Sequence, residues 1–227
     1  MPSPFTIVAF GDSMTECKAL EPSKRWPGLL QRRLNRASAG IRCEVVNVGV
    51  GGNTSREGLA RLERDVLPHH PDLTLVQFGG NDATPDPSRA VAFDEYTRNL
   101  DAIRRLLHRA GSAAAWVTFP PVIDAWHAWS DPANTAARQK FDAAGGLDAC
   151  LHEYRRRTRE FASRHGDLCI DLYAGMRQAI EEGGAGRYVA RDGVHFTVDG
   201  SRRAAEVVTA ALQAFVVRAA RGRKAPA

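Results

Sequence analysis

Short apolar runs alternate with longer helix-like stretches along most of the 227 residues, and this alternation leaves few folds open. The runs lie near residues 5–10, 43–48, 73–78, 113–118 and 168–171. Between them the apolar residues recur at helical spacing. Leu29, Leu30 and Leu34 fall on one face of a segment at 27–37, and Leu100, Ile103, Leu106 and Leu107 on one face of a segment at 93–109. Strands alternating with helices argue for a parallel sheet covered on both faces, because parallel strands need crossover connections. The expected fold is therefore α/β, a three-layer α/β/α sandwich on a parallel five-stranded sheet. Further helices are expected from Thr54 or Ser55 to about Leu67, and at 147–164, 176–182 and 199–218.

The length suits one domain over 1–218, with a basic C-terminal tail at 219–227. Residues 122–146 fit neither period. They carry Trp126, Trp129, Pro132 and the pair Gly145-Gly146, and they read as an insertion over the carboxyl edge of the sheet.

The chemistry-bearing residues cluster where strands end. The first run leads into Phe10-Gly11-Asp12-Ser13-Met14-Thr15, which presents a serine in the loop after a buried strand. Asn47-Val48-Gly49-Val50-Gly51-Gly52-Asn53-Thr54 follows the second run, and Gly79-Gly80-Asn81-Asp82 follows the third. Asp192-Gly193-Val194-His195 comes far downstream. Each segment alone is ordinary turn chemistry. Together they bring a hydroxyl, an imidazole and a carboxylate to the strand ends where α/β sites are assembled.

These four segments, in this order, resemble the SGNH hydrolases, also called the GDSL esterase/lipase family. The resemblance runs from Phe10 to about Phe196 and implies the flavodoxin-like SGNH hydrolase fold. It implies Ser13 as nucleophile, His195 as base and Asp192 behind it. It also implies an oxyanion hole from the Ser13 amide, Gly52 and Asn81; the doubled glycine Gly51-Gly52 offers two amides, of which Gly52 is assigned. The activity implied is hydrolysis of carboxylic esters through an acyl-enzyme, on short-chain acyl or acetyl esters. Gly80-Asn81-Asp82-Ala83 and Pro120-Pro121 are similar to the branch that cleaves small acetate esters. Carbohydrate deacetylation, lysophospholipid or thioester hydrolysis and acyl transfer share the same intermediate and stay open. A ligand-binding protein without turnover is the alternative from another class.

Asp12 is read as a loop organiser and Asp82 as a brace for the Asn81 loop. Met14, Trp126, Trp129 and Val194 are the expected substrate-pocket residues, although two tryptophans under a loop can also be packing alone. Among the other histidines only His127, between those tryptophans, is a candidate for substrate contact. No metal and no cofactor are expected: no histidine pair has ligand spacing, and the glycines of 49–52 lack the lysine of a P-loop. The four cysteines are scattered and read as free thiols.

A net charge of +5 comes mostly from arginines, including Arg155-Arg156-Arg157, Arg159 and the tail. They are read as a solvated helix face, because aromatics do not interleave with them as on nucleic-acid surfaces. The expected partner is thus a small-molecule ester, with no nucleic acid and no stable membrane insertion; oligomeric state is not legible. The first apolar run is too short for a leader and has no charged segment before it, so a cytoplasmic protein is expected, a processed secreted form being the alternative.

Overall fold

The computed structural model describes residues 3–37, 40–131 and 133–222. Pro132 and the tail residues Arg223 and Lys224 lie outside them. The strands are β1 (Phe5–Gly11), β2 (Cys43–Asn47), β3 (Leu73–Gln77), β4 (Ala113–Val117) and β5 (Leu168–Ile170). They form one parallel sheet in the order β2-β1-β3-β4-β5. β3 is buried at every position and β1 at every position but Thr6, which explains why they lack polar alternation.

The helices are α1 (Ser13–Glu16), α2 (Trp26–Ala37), α3 (Ser55–Asp65), α4 (Phe93–Arg109), α5 (Thr135–Asp142), α6 (Leu147–His165), α7 (Leu172–Gly183), α8 (Ala185–Tyr188) and α9 (Val198–Gly222). α2 packs on α9 over one face of the sheet, with α7 beside α9. α3, α4 and α6 form the other layer. The core joins both layers through residues such as Phe10, Leu30, Phe78, Trp116 and Val208. Phe10 meets Phe78 edge-on at 5.1 Å.

Strand order decides where a site can form. From β1 the chain moves to one side for β2, then crosses to the other side for β3. The carboxyl ends of β1 and β3 therefore flank a switch point, where two connections diverge and leave a crevice. Ser13 lies just past β1, and Gly79 to Asn81 lie just past β3.

The structure departs from the sequence expectations in four places. α7 begins at Leu172, a turn earlier than residue 176, because Asp171 caps it by accepting from the Ala174 N–H. α3 stops at Asp65, and Leu67–His69 forms a separate 3₁₀ turn around Pro68. Residues 122–146 are not irregular throughout: two short 3₁₀ turns precede α5, which Asn134 caps through the Ala137 N–H. Arg155 does not join a solvated face. It is 1% exposed and donates to the carbonyls of Phe119 and Pro120, with Asp148 as its ion-pair partner at 2.6 Å.

Candidate active site

Asp12 caps the four-residue helix α1 by accepting from the Met14 N–H at 2.9 Å, so the chain turns sharply as it leaves β1. Gln77, on the neighbouring strand, donates to the other Asp12 oxygen at 3.4 Å and accepts from Thr15 at 3.0 Å. These bonds fix the turn from both sides and set Ser13 at the crevice. Burial pushes the Asp12 carboxyl up to about 7, opposed by the Met14 N–H and reinforced by the charge of Asp82.

His195 faces Ser13, its Nε2 lying 2.9 Å from the Ser13 Oγ. Its Nδ1 lies 2.8 Å from Asp192 Oδ2. An ionised carboxylate only accepts, so Nδ1–H donates to Asp192 and Nε2 is left to accept the serine proton. Asp192 Oδ1 also accepts from the N–H groups of Val194 and His195, each at 2.9 Å. Burial alone would raise the Asp192 carboxyl; those two N–H groups and then the imidazole outweigh it and hold it below its ordinary value. Gly193 sits between them with a φ of 78°, and a Cβ there would come within 2.5 Å of the Ile123 carbonyl. The Asp192–His195 turn is thus clamped under the start of the insertion, where the Ile123 N–H donates to the Gly193 carbonyl at 2.8 Å.

The glycine loop after β2 lies against the serine. A Cβ at Gly51 would be 3.7 Å from the Ser13 Cβ. The Gly51 N–H is taken by Glu16 Oε2 at 2.8 Å. The Gly52 N–H has no acceptor among the described residues, nor has that of Ser13. Gly52 adopts a φ of 78°, a left-handed conformation that favours glycine. The Asn81 side-chain amide donates one hydrogen to the Asn53 carbonyl at 3.1 Å, which turns the group toward this loop and leaves its second hydrogen free.

Behind Asn81, Asp82 is fully buried and accepts from the N–H of Gly79, and from the N–H and hydroxyl of Ser55. Burial drives its carboxyl up to about 6 against the pull of those donors.

Two clefts meet at Ser13 and His195. A cavity of about 120 Å³ is lined by Gly80, Asn81, Phe119, Val122, His127, Trp129, Leu147, Leu151, Asp192 and Val194. A second cleft, of about 340 Å³, is lined by Met14, Cys17 to Leu20 and Phe196. Of the expected pocket residues, Trp129 and Val194 line the first and Met14 the second. Trp126 lines neither: it is 40% exposed on a separate cleft with Gly186, Val189 to Arg191 and Thr197. His127 and Trp129 line the cavity with Ser13, while Trp126 lies on the separate outer cleft. Trp129 stacks on Phe141 of α5 at 5.4 Å, so it both packs and lines the cavity.

Several supporting residues escaped the sequence reading. Arg61, on α3, is buried and donates to the carbonyls of Gly11 and Val48 and to the Asn53 side chain. Its signal was present: it lies among Gly58 and Leu62 on the buried stripe of α3, where a charge needs a reason. Arg155 holds the segment just past β4, which supplies the Phe119 wall. Among the described residues, no group of three or more His, Cys, Asp or Glu side chains could hold a metal ion.

A hydroxyl, an imidazole and a carboxylate in relay at the switch point of a parallel sheet is the constellation of the serine hydrolases. The chain belongs to the GDSL-like Lipase/Acylhydrolase family, whose profile it matches over residues 9–203. It is 34% identical over 107 residues to the esterase TesA of Pseudomonas aeruginosa, covering 47% of this chain and 50% of that one. It is 36% identical over 77 residues to thioesterase 1/protease 1/lysophospholipase L1 of Escherichia coli, covering 34% and 35%. The matched stretches thus span half or less of these relatives. Among solved structures, an acetylxylan esterase from Geobacillus stearothermophilus superposes with a TM-score of 0.74 at 20% identity, over 93% of this chain and 95% of that one. A lipase/acylhydrolase from Enterococcus faecalis gives 0.73 at 23% identity, over 92% and 96%. Both carry the same fold.

Proposed function

We propose that this protein is a serine esterase that hydrolyses small carboxylic esters through an acyl-enzyme on Ser13. The observation that carries the reading is the unbroken relay from Ser13 Oγ through His195 to Asp192. His195 takes the serine proton as Oγ attacks the ester carbonyl, then returns it to the departing alkoxide. Asp192 holds the Nδ1–H tautomer and stabilises the imidazolium without taking the proton. The Ser13 and Gly52 N–H groups and the free hydrogen of Asn81 are the donors assigned to the oxyanion. Water then attacks the acyl carbon as His195 takes its proton; the acyl–Oγ bond breaks, His195 returns the proton to Ser13 Oγ, and the acid leaves.

The cavity beside Asn81 is the acyl pocket in this reading. It shares Asn81 with the oxyanion donors and has an apolar wall of Phe119, Val122, Leu147 and Leu151. Its volume falls below the roughly 300–1,000 Å³ of ordinary small-molecule sites, which favours acetyl and short acyl groups. The larger cleft across Ser13 takes the leaving group. Among the described residues no helix is long and apolar enough to cross a membrane, which fits a substrate met in water. The test is hydrolysis of p-nitrophenyl esters from acetyl to decanoyl, by native protein and Ser13→Ala. Turnover that peaks at short chains and vanishes in the variant is expected. A folded native protein inactive across the series would overturn the reading.

A further inference from the structure

The acyl pocket contains a second imidazole that the relay does not use. His127 lines the cavity with Ser13 and Asn81, from the turn that packs over Gly193. Its Nδ1 accepts from the Trp129 backbone N–H at 3.0 Å. A neutral imidazole carries one proton, so Nδ1 as acceptor leaves that proton on Nε2. Nε2 has no acceptor among the described residues. The ring is also fixed edge-on against Trp129 at 4.7 Å, and Trp129 is in turn stacked on Phe141.

Burial lowers the His127 pKa, against the opposing charges of Asp192 and Asp124 and with that of His195. The neutral form is therefore favoured at neutral pH, and the Nε2 proton persists as a fixed donor rather than a mobile charge. His127 is half-buried, so water can accept from Nε2–H while the pocket is empty; an acyl group that displaces this water without offering an acceptor leaves the donor unpaired at a cost in free energy. A purely alkyl acyl chain supplies none.

We propose that the Nε2–H of His127 is a hydrogen-bond donor in the acyl pocket and selects small acyl groups carrying an ether or hydroxyl oxygen close to the ester carbonyl. The inference rests on the esterase reading for its substrate, but not for the state of the ring. A site built to donate a hydrogen bond discriminates through the penalty of leaving its donor unpaired, whereas a purely apolar pocket reads only size.

The experiment compares p-nitrophenyl methoxyacetate with p-nitrophenyl butyrate, whose acyl chains have nearly the same shape. The preference is the ratio of their kcat/KM values. The greater intrinsic reactivity of the methoxy ester is common to every variant and cancels in the comparison. His127→Phe is expected to lower the ratio about tenfold relative to native protein. His127→Gln keeps an amide donor near the Nε2 position and should hold the ratio within about threefold of native. Equal ratios in native protein and His127→Phe would overturn the proposal, as would an equal fall in both variants.

A second arm needs no turnover. Long-range 1H–15N spectra of the folded Ser13→Ala variant are expected to show His127 as the Nε2–H tautomer, with Nε2 shifted by methoxyacetamide more than by butyramide. An Nδ1–H tautomer, or equal response to the two amides, would overturn the proposal. The esterase reading falls only with inactivity across the whole acetyl-to-decanoyl series, and this arm decides on His127 without turnover of either ester.

Discussion

Arg61 donates its Nε–H to the Asn53 side-chain oxygen at 2.6 Å, and this bond joins a buried charge to the loop that carries Gly52, one of the proposed oxyanion donors. The same guanidinium donates to the Gly11 carbonyl at 2.9 Å, at the end of the strand that presents Ser13. Asn53 in turn accepts from Asn81 through its backbone. One side chain thus ties together the ends of β1 and β2, and reaches Asn81 through Asn53.

Arg61→Lys keeps the charge but cannot reach three acceptors on different segments, since an ammonium lacks the planar fork. The variant should lose about 1–3 kcal/mol of stability for acceptors left buried without donors. If the Asn53 link also positions Gly52 and Asn81, kcat falls at least tenfold in the folded variant while KM changes little. Urea unfolding and steady-state kinetics on p-nitrophenyl acetate separate the two effects; a stability loss with unchanged kcat would assign Arg61 to packing alone.

Asn81→Ala removes the only side-chain donor among those assigned to the oxyanion. Losing one such donor typically costs about 2.7–4 kcal/mol of barrier, so kcat should fall roughly 100- to 1000-fold. Asp82, not Asn81, holds the surrounding loop through Ser55 and Gly79, so the variant should unfold at nearly the native temperature. Near-native kcat would remove Asn81 from the oxyanion site.

Asp192→Asn tests the tautomer argument. The amide is nearly the same shape, but its NH₂ face cannot accept from Nδ1–H, and the His195 ring loses its fixed proton. In a buried triad the corresponding change costs about 10⁴ in kcat. Asp192 here is half exposed on its side chain, so water can partly replace it, and a loss of about 10²–10⁴ is expected. Less than a tenfold loss would show that His195 works without its carboxylate.

Much of this site was readable because its parts are strand ends. A strand buried on both faces shows as an apolar run, and the polar residues just past β1, β2 and β3 stand out against it. The Asp192–His195 turn was readable for a different reason, its short spacing. The supporting layer was hidden because it is made by contacts between segments far apart in sequence. Arg61 to Gly11, Arg155 to Phe119 and Gln77 to Asp12 each span 35 residues or more. Arg155 in particular sits in a run of arginines whose neighbours pair at the surface, so composition pointed the wrong way. α5 leaves little trace in the sequence because, among its described residues, only Ala137 and Phe141 are buried, too few positions to set a period. Trp126 and Trp129 are neighbours in sequence, but the fold places them on different clefts, which spacing alone does not reveal.

The buried carboxyl of Asp12 should make stability depend on pH. Its folded value is raised from 3.8 to about 7, so the native state holds the proton more tightly than the unfolded chain. This contribution is fully present below about pH 4 and is lost as pH rises toward 7. Asp82, raised to about 6, acts in the same direction. Asp12→Asn keeps an oxygen for the Met14 N–H and cannot ionise. Its stability relative to native protein should therefore increase between pH 4 and 7 and then level off. Urea unfolding of both proteins at pH 4, 5.5, 7 and 8.5 reads this directly. A difference independent of pH would show that folding leaves the Asp12 pKa unshifted.

The two tryptophans of the insertion should behave differently. Trp129 lines the acyl cavity against Phe119 and Leu151, and removing its indole joins that cavity to the space over Phe141. Trp129→Ala should move the preferred p-nitrophenyl ester to longer acyl chains, with octanoate gaining at least tenfold on acetate in relative kcat/KM. Truncating a packed tryptophan also costs about 3–5 kcal/mol, but a ratio of two substrates on one preparation is insensitive to the fraction folded. Trp126→Ala should leave the acyl profile unchanged, because Trp126 borders the outer cleft beside Arg191 and neither of the clefts that meet at Ser13. A chain-length shift in Trp126→Ala without one in Trp129→Ala would place the acyl pocket on the wrong side of the insertion.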